Sequence, residues 1–277
     1  MDTLIETSLT AYECLMKGFN FYIDGENEKA IEQYLKAIEL KPDDEEFYYI
    51  LGVTYYFNGN NDEAIQSLQK AIELKPDSGS AYCTMGNAYD AKNDHDKAFQ
   101  LYQKAIEFEP DNADAYFHLG NKYRLKGNLK EAILCFQKAI KFASNFAVAY
   151  QTLGSVYNET GKYEKAIKCF MKALMLESDY PEAYCNMAIS NINLGKNVKA
   201  IIWAQRAIDF KPDYIEALFV MGIAYLNNSL IGNAIECFQK VKKLDPYFLD
   251  NFIMKQLSIN LTDEIMRQFE ETKYLLN

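Results

Sequence analysis

Hydrophobic residues recur along this chain in groups whose members are three or four residues apart, and the groups come in pairs. In one pair, the first group contains Tyr82, Met85 and Tyr89, and the second contains Ala98 and Tyr102. Steps of three and four place residues on one face of an α-helix. Between the two groups of each pair stands a residue that suits the left-handed end of a helix, namely Gly25, Gly59, Asn93, Gly127, Gly161, Gly195 or Ser229. The pattern therefore predicts a series of helix-turn-helix hairpins.

The hairpin pattern repeats every 34 residues from Ala11 to Phe248, without an insertion or a deletion. The predicted units are 11–44, 45–78, 79–112, 113–146, 147–180, 181–214 and 215–248. A period of this length indicates a repeat array, because a single amphipathic hairpin cannot bury its apolar face alone. Residues 1–10 are predicted to be an N-terminal extension. Residues 249–277 are predicted to form helices that cap the last unit.

Small residues occupy one position on each helix of a unit. They are Gly18, Gly52, Gly86, Gly120, Gly154, Ala188 and Gly222 on the first helices, and Ala30, Ala64, Ala98, Ala132, Ala166, Ala200 and Ala234 on the second. The two helices of a hairpin cross there, so a larger side chain would push them apart. A tyrosine between adjacent units, at Tyr55, Tyr89, Tyr123, Tyr157 and Tyr225, completes the pattern.

Over residues 11–248 this pattern resembles the tetratricopeptide repeat family. The resemblance implies an all-α fold, a right-handed superhelical solenoid of tetratricopeptide repeats, here ending in C-terminal capping helices. Three units depart from the pattern. The first has Lys17, the sixth has Ala188, Asn191 and Ala204, and the seventh has Ser229 and Val241 at otherwise regular positions. Trp203 stands where three other units have Cys135, Cys169 and Cys237, and we expect it to pack partly along the outer edge rather than to form an exposed hot spot.

Acidic residues are concentrated in the first half of the chain. Residues 1–112 carry 22 acidic and 9 basic side chains, whereas residues 113–277 carry 17 and 20. A negative field repels nucleic acids and anionic membranes, so neither is an expected partner. A basic segment of another protein is favoured, although the same charge is also explained by solubility alone.

The sequence contains no arrangement typical of an enzyme. It lacks a nucleophile paired with a base, a glycine-rich phosphate loop and a metal-ligand cluster, so we expect no catalysis, no metal and no cofactor. The six cysteines include no CxxC pair and are predicted to be reduced. Neither a secretory signal nor a run of about 18 apolar residues is found, and we expect a cytoplasmic protein.

The resemblance also implies that the first helices line a concave groove. We predict Tyr49, Tyr56 and Phe117 as its apolar anchors, Asn87, Asn121 and Asn158 as clamps for a peptide backbone, and Glu46, Asp90 and Asp114 as the residues that select a basic segment. An asparagine amide both donates and accepts hydrogen bonds, as a peptide group requires. Two other interpretations stay open: the asparagines are merely solvated, or the aromatic residues pack against residues 1–10.

One subgroup of the family binds the C-terminal carboxylates of chaperones through basic groove residues. That position holds Leu15, Tyr49, Cys83, Phe117, Gln151, Cys185 and Phe219 in this chain. A chaperone carboxylate clamp is therefore not expected.

We therefore expect a non-enzymatic protein–protein interaction module that binds a peptide segment of a partner in its groove. Two alternatives stay open. One is a scaffold that self-associates through its convex face or C-terminal cap, giving a homo-oligomer. The other is a regulator that senses a short peptide.

Overall fold

The protein is built of α-helices, and no β-strand occurs in the residues that the computed structural model describes, which are 2–248 and 267–272. The chain divides into two compact units, Met1–Asn128 and Leu129–Asn277. The helices of the N-terminal unit are α1 (Asp2–Ile23), α2 (Asn27–Leu40), α3 (Glu45–Phe57), α4 (Asn61–Leu74), α5 (Gly79–Ala91), α6 (His95–Phe108) and α7 (Ala113–Leu125). Those of the C-terminal unit are α8 (Leu129–Phe142), α9 (Ala147–Glu159), α10 (Tyr163–Leu176), α11 (Pro181–Asn193), α12 (Asn197–Phe210), α13 (Ile215–Leu226) and α14 (Ile231–Leu244).

The turns between paired helices lie where the sequence predicts them. Among the described residues, positive φ angles occur at the seven predicted positions, including Asn93 at 64° and Ser229 at 59°. A left-handed residue ends a helix because it redirects the chain while its backbone N–H still bonds a helix carbonyl. The predicted helix-turn-helix pattern is confirmed. The division into seven repeats remains the prediction made from the sequence.

The small residues on the first helices are needed because a large side chain of the second helix packs against each. A Cβ atom added to Gly86 would lie 2.7 Å from Cε1 of Tyr102, and one added to Gly154 would lie 2.6 Å from Cε1 of Phe170. Tyr102 and Phe170 are fully buried. The sixth repeat is different, because both residues are small: Ala188 on α11 is paired with Ala204 on α12, where the other hairpins have a large residue.

The two ends of the chain differ in how far they follow the predictions. Helix α1 runs without a break from Asp2 to Ile23, so residues 2–10 continue the first helix of the first predicted unit, and the boundary at residue 10 stays a prediction. Residues 267–272 are helical, and the ring of Phe269 packs on Phe219 and Phe238 at centroid distances of 5.7 and 5.4 Å. The other parts of the predicted capping helices lie outside the described residues.

Candidate functional site

A recess of about 220 Å³ lies between the first helices of the N-terminal unit. We call it the first-helix recess, and define it by its lining residues Tyr49, Val53, Tyr56, Phe57, Ser80, Cys83, Thr84, Asn87, Asn112 and Asp114. Helices α3 and α5 form its two walls, and the beginning of α7 closes one end. Aromatic, amide and carboxylate groups therefore face one small volume.

The recess brings together four of the nine predicted site residues, namely Tyr49, Tyr56, Asn87 and Asp114. Three others lie in the N-terminal unit but outside its lining. Glu46 is exposed in the first turn of α3, while Phe117 and Asn121 are half-buried on α7. The remaining two, Asp90 and Asn158, are engaged elsewhere.

Asn87 is held in place from below by a buried tyrosine. The Tyr102 hydroxyl donates to Oδ1 of Asn87 over 2.9 Å. Burial raises the pKa of Tyr102, so this hydroxyl keeps its proton. The bond orients the Asn87 amide and uses one of the two lone pairs of Oδ1, and the Nδ2 hydrogens remain without a partner among the described residues. Asn87 is therefore oriented to donate to a carbonyl oxygen, and the two-sided clamp stays a prediction.

Two carboxylates, those of Asp114 and Glu109, lie near the recess. Burial raises the pKa of the Cys83 thiol to about 12, and the charges of Asp114 and Glu109 act in the same direction. The carboxylate of Glu109 accepts hydrogen bonds from the Ser80 backbone N–H at 3.0 Å, the Ser80 hydroxyl at 2.8 Å and the Asn112 amide at 3.0 Å. Glu109 is thus internally bonded, whereas Asp114 is exposed and available to a ligand.

Asp90 does not have the predicted role. Its Oδ1 is bonded to the ammonium of Lys122 and lies 2.6 Å from Nδ1 of His95. Burial alone would raise the pKa of Asp90, but these hydrogen bonds outweigh it and the pKa is lowered. The carboxylate is neutralised within the chain, so it cannot select a basic ligand.

Asn158 is also wrongly predicted, and for the same reason. It is only 5% exposed, its Nδ2 donates to the carbonyl of Asn186 at 3.2 Å, and its Oδ1 accepts from the Ser190 hydroxyl at 2.7 Å. Asp90 and Asn158 occupy equivalent positions two repeats apart. In both cases the polar residue accepts a hydrogen bond from a side chain 32 residues later in the sequence, which lies on the first helix of the next hairpin.

Lys122 was missed by the sequence analysis. It is 5% exposed, and the equivalent residues in the repeats before and after it are Ala88 and Val156. A single charged residue at a position of small and apolar residues is a signal of a buried ion pair, since an isolated charge is costly to bury.

The described residues contain no cluster that could bind a metal ion, and five of their cysteine thiols are protonated. Among residues 2–248 and 267–272, no group of three or more histidine, cysteine or carboxylate side chains could hold a metal ion. Burial raises the pKa values of Cys135, Cys169, Cys185 and Cys237, as it does that of Cys83, so these thiols stay protonated near neutral pH. In the same part of the chain, no helix combines the length and the apolar character needed to cross a membrane.

The bonded carboxylates predict how stability depends on pH. Burial would raise the pKa values of Asp44, Asp90 and Glu109, but hydrogen bonds outweigh it and all three are lowered. Their stabilisation is complete above the unfolded pKa, near 4, and is lost as the pH falls through the lower native values. We expect the free energy of unfolding, measured in urea by circular dichroism, to decrease between about pH 5 and pH 3. Glu109→Gln should reduce this slope, and a flat profile would contradict the assignment.

Family models match most of the chain. A model described as "TPR repeat" matches residues 20–59, 54–92, 86–122 and 154–195. Three models described as "Tetratricopeptide repeat" match residues 113–146, 135–168 and 215–248. No curated protein sequence matches the chain.

Several solved structures are similar to this chain. The crystal structure of MamA protein is 26% identical, with a TM-score of 0.57, covering 64% of this chain and 97% of that one. YrrB, described as a TPR protein with an unusual peptide-binding site, is 24% identical, with a TM-score of 0.57 and coverages of 67% and 95%. The pilF protein of Pseudomonas aeruginosa is 21% identical, with a TM-score of 0.64 and coverages of 73% and 92%. At these identities the last two matches show the fold alone.

Proposed function

Because the chain belongs to the tetratricopeptide repeat family, we propose that it is a non-enzymatic interaction module whose first-helix recess binds a basic peptide segment of another protein. Proteins with this repeat generally act as interaction modules rather than as enzymes. The observation that carries the proposal is the convergence of Tyr49, Tyr56, Asn87 and Asp114 on one recess.

Each of these residues has a distinct part in the proposed complex. The Asn87 amide, oriented by Tyr102, donates to a backbone carbonyl of the peptide. Tyr49 and Tyr56 are half-buried and offer ring surface to an apolar or aliphatic side chain. Asp114 is exposed at the end of the recess and pairs with a lysine or arginine of the ligand.

Electrostatics favours a basic ligand over an acidic one. Residues 1–112 have 13 more acidic than basic side chains, and the two carboxylates nearest the recess already raise the pKa of Cys83. Such a field increases the association rate of a cationic peptide, and added salt screens it. The description of YrrB as peptide-binding belongs to that protein, so our proposal rests on the recess.

The proposal is tested with a fluorescein-labelled peptide of about eight residues, rich in lysine and extended in conformation. We expect fluorescence anisotropy to show saturable binding to the full chain. Asp114→Asn should weaken binding about tenfold, because it removes a charge-assisted hydrogen bond. Asn87→Ala should weaken it about fivefold, through loss of a neutral hydrogen bond.

Asp77→Asn is the matched control, because it makes the same change of charge at an exposed residue outside the recess. It should alter affinity by less than twofold, as expected for a screened surface charge. If Asp114→Asn and Asp77→Asn have the same effect, the ligand is attracted only by net charge and the recess is not its site. An acidic peptide of the same length that bound equally well would also contradict the proposal.

A further inference from the structure

A second and larger recess lies in the C-terminal unit, on the side formed by second helices. It has a volume of about 590 Å³ between α10 and α12. Met171, Ile202 and Trp203 form most of its apolar walls, and Met187 and Asn191 of α11 form its floor. We call it the second-helix groove. It shares no residue with the first-helix recess.

The groove exists because one ring is missing. Asn191 stands where the neighbouring repeats have Tyr157 and Tyr225, and its short amide folds back to donate to the Met187 carbonyl at 2.8 Å. This departure was visible in the sequence, but its consequence was not.

The chain contains its own comparison three repeats earlier. The equivalent recess between α4 and α6 retains Tyr89 at the position of Asn191, and its volume is about 270 Å³. Gln69 and Gln100 line that recess where Met171 and Ile202 line the groove. The same place in the fold is therefore smaller and lined in part by amides in one unit, and larger and more apolar in the other.

Several large apolar residues around the groove are exposed. Met171 is 53% exposed and Ile202 is 52% exposed, and Met175 and Val198 beside them are exposed still further. Trp203 is half-buried, with its ring stacked on Tyr184 at a centroid distance of 6.1 Å. A contiguous exposed apolar surface with a polar rim is typical of a protein interaction site.

The rim of the groove is basic. Lys168, Lys196 and Lys199 line it together with one acidic residue, Glu164. None of the three lysines forms an ion pair or a side-chain hydrogen bond with any residue that the structure describes. Unpaired ammonium groups beside an apolar floor are complementary to a ligand that has both acidic and apolar residues.

We propose that the second-helix groove binds an amphipathic helix of a partner protein, with apolar residues packed on Trp203 and Met171 and acidic residues facing the three lysines. Helices α10 and α12 are 14 residues each, or about 21 Å, so the groove matches a helix of about four turns. A helix suits this surface because apolar residues spaced by three and four fill a groove between two helices. This site is independent of the first-helix recess.

The test uses two synthetic helical peptides without tryptophan, of the same length as α10. One has leucine at steps of three and four with glutamate on both flanks, and the other has lysine in place of each glutamate. Trp203 is the single tryptophan of the chain, so its emission reports occupancy of the groove directly. We expect the glutamate peptide to shift this emission saturably and to bind at least about tenfold more tightly than the lysine peptide.

Asn191→Tyr is the decisive variant, because it restores the residue of the neighbouring repeats and fills the groove without opening a cavity. It should weaken binding of the glutamate peptide at least about tenfold. The affinity is measured by isothermal titration calorimetry, so that the result does not depend on tryptophan emission. The melting temperature should not decrease. Asn60→Tyr, the same substitution at an exposed residue of the other unit, is the matched control and should leave this affinity unchanged.

Three results would overturn the proposal. Binding that is unaffected by Asn191→Tyr would place the peptide elsewhere, and equal binding of the two peptides would remove the role of the lysines. Sedimentation that showed a dimer of the free chain, lost on Asn191→Tyr, would assign the groove to a second copy of this protein. Failure of the basic peptide to bind at the first-helix recess would contradict the proposed function, but it would not affect the proposal for the second-helix groove.

Discussion

Replacing Asp90 with alanine is expected to lower the free energy of unfolding by about 3 kcal/mol. Lys122 is 5% exposed, and its ammonium is bonded to the Asp90 carboxylate. Removal of the carboxylate leaves a buried charge with no ionic partner, which costs far more than the pair itself contributes. Urea denaturation of the full chain measures the change. If two transitions appear, each is fitted separately.

The matched control is the exposed ion pair between Lys92 and Asp62, whose carboxylate side chain is 72% exposed. Asp62→Ala should change the free energy of unfolding by less than about 1 kcal/mol, because solvent screens the pair and replaces its partner. The double variant Asp90→Leu with Lys122→Met should recover most of the lost stability, since it removes both charges. If Asp62→Ala and Asp90→Ala have equal effects, the Lys122 charge is not buried as described.

Replacing Gly154 with leucine is expected to cost about 3 kcal/mol, at the upper end of the usual range for overpacking. A Cβ at this position would lie 2.6 Å from Cε1 of Phe170 and 2.9 Å from Cδ1 and Cζ. Phe170 is fully buried, so its ring cannot move aside without displacing the hairpin. Leucine is a better helix former than glycine by roughly 0.8 kcal/mol, and this gain is too small to offset the clash.

Gly232→Leu is the control for that variant, because it makes the same substitution in helix α14. No atom lies within 4 Å of a Cβ added there, so only the helix propensity changes. We expect Gly232→Leu to raise the free energy of unfolding by about 0.8 kcal/mol. The two substitutions should therefore have opposite signs in the same denaturation experiment. Equal signs would mean that the helices do not cross closely at Gly154.

The hairpins and four residues of the candidate site could be predicted, because in a repeat array residues one period apart in the sequence lie on neighbouring helices. Once the period is known, Tyr49 and Cys83 must lie on adjacent first helices, and the recess between them follows. The supporting bonds could not be predicted in this way. That Tyr102 orients Asn87 depends on how deeply a second-helix side chain reaches beneath the first helix, and the spacing does not contain that distance.

The errors at Asp90 and Asn158 have a common physical origin. The spacing shows which face of a helix a residue occupies. A residue at the border of the groove-facing side, however, also lies next to the first helix of the following hairpin. Whether a polar side chain at this border remains free depends on the residue that the following helix presents to it. Here the following helix presents Lys122 to Asp90 and Ser190 to Asn158, so the side chains of Asp90 and Asn158 are both bonded within the fold.

By itself, the sequence of this protein determined the helices, their turns, the close crossings of paired helices and the family, because each depends on residues at fixed short separations. The tertiary structure alone decided which polar groups are already bonded, such as Asp90, and which spaces are left empty, such as the groove beside Trp203. Those properties arise where several helices meet. In a closely packed protein, neighbouring side chains do not move to fill the space of the ring that is missing at Asn191, so a groove is left at the surface.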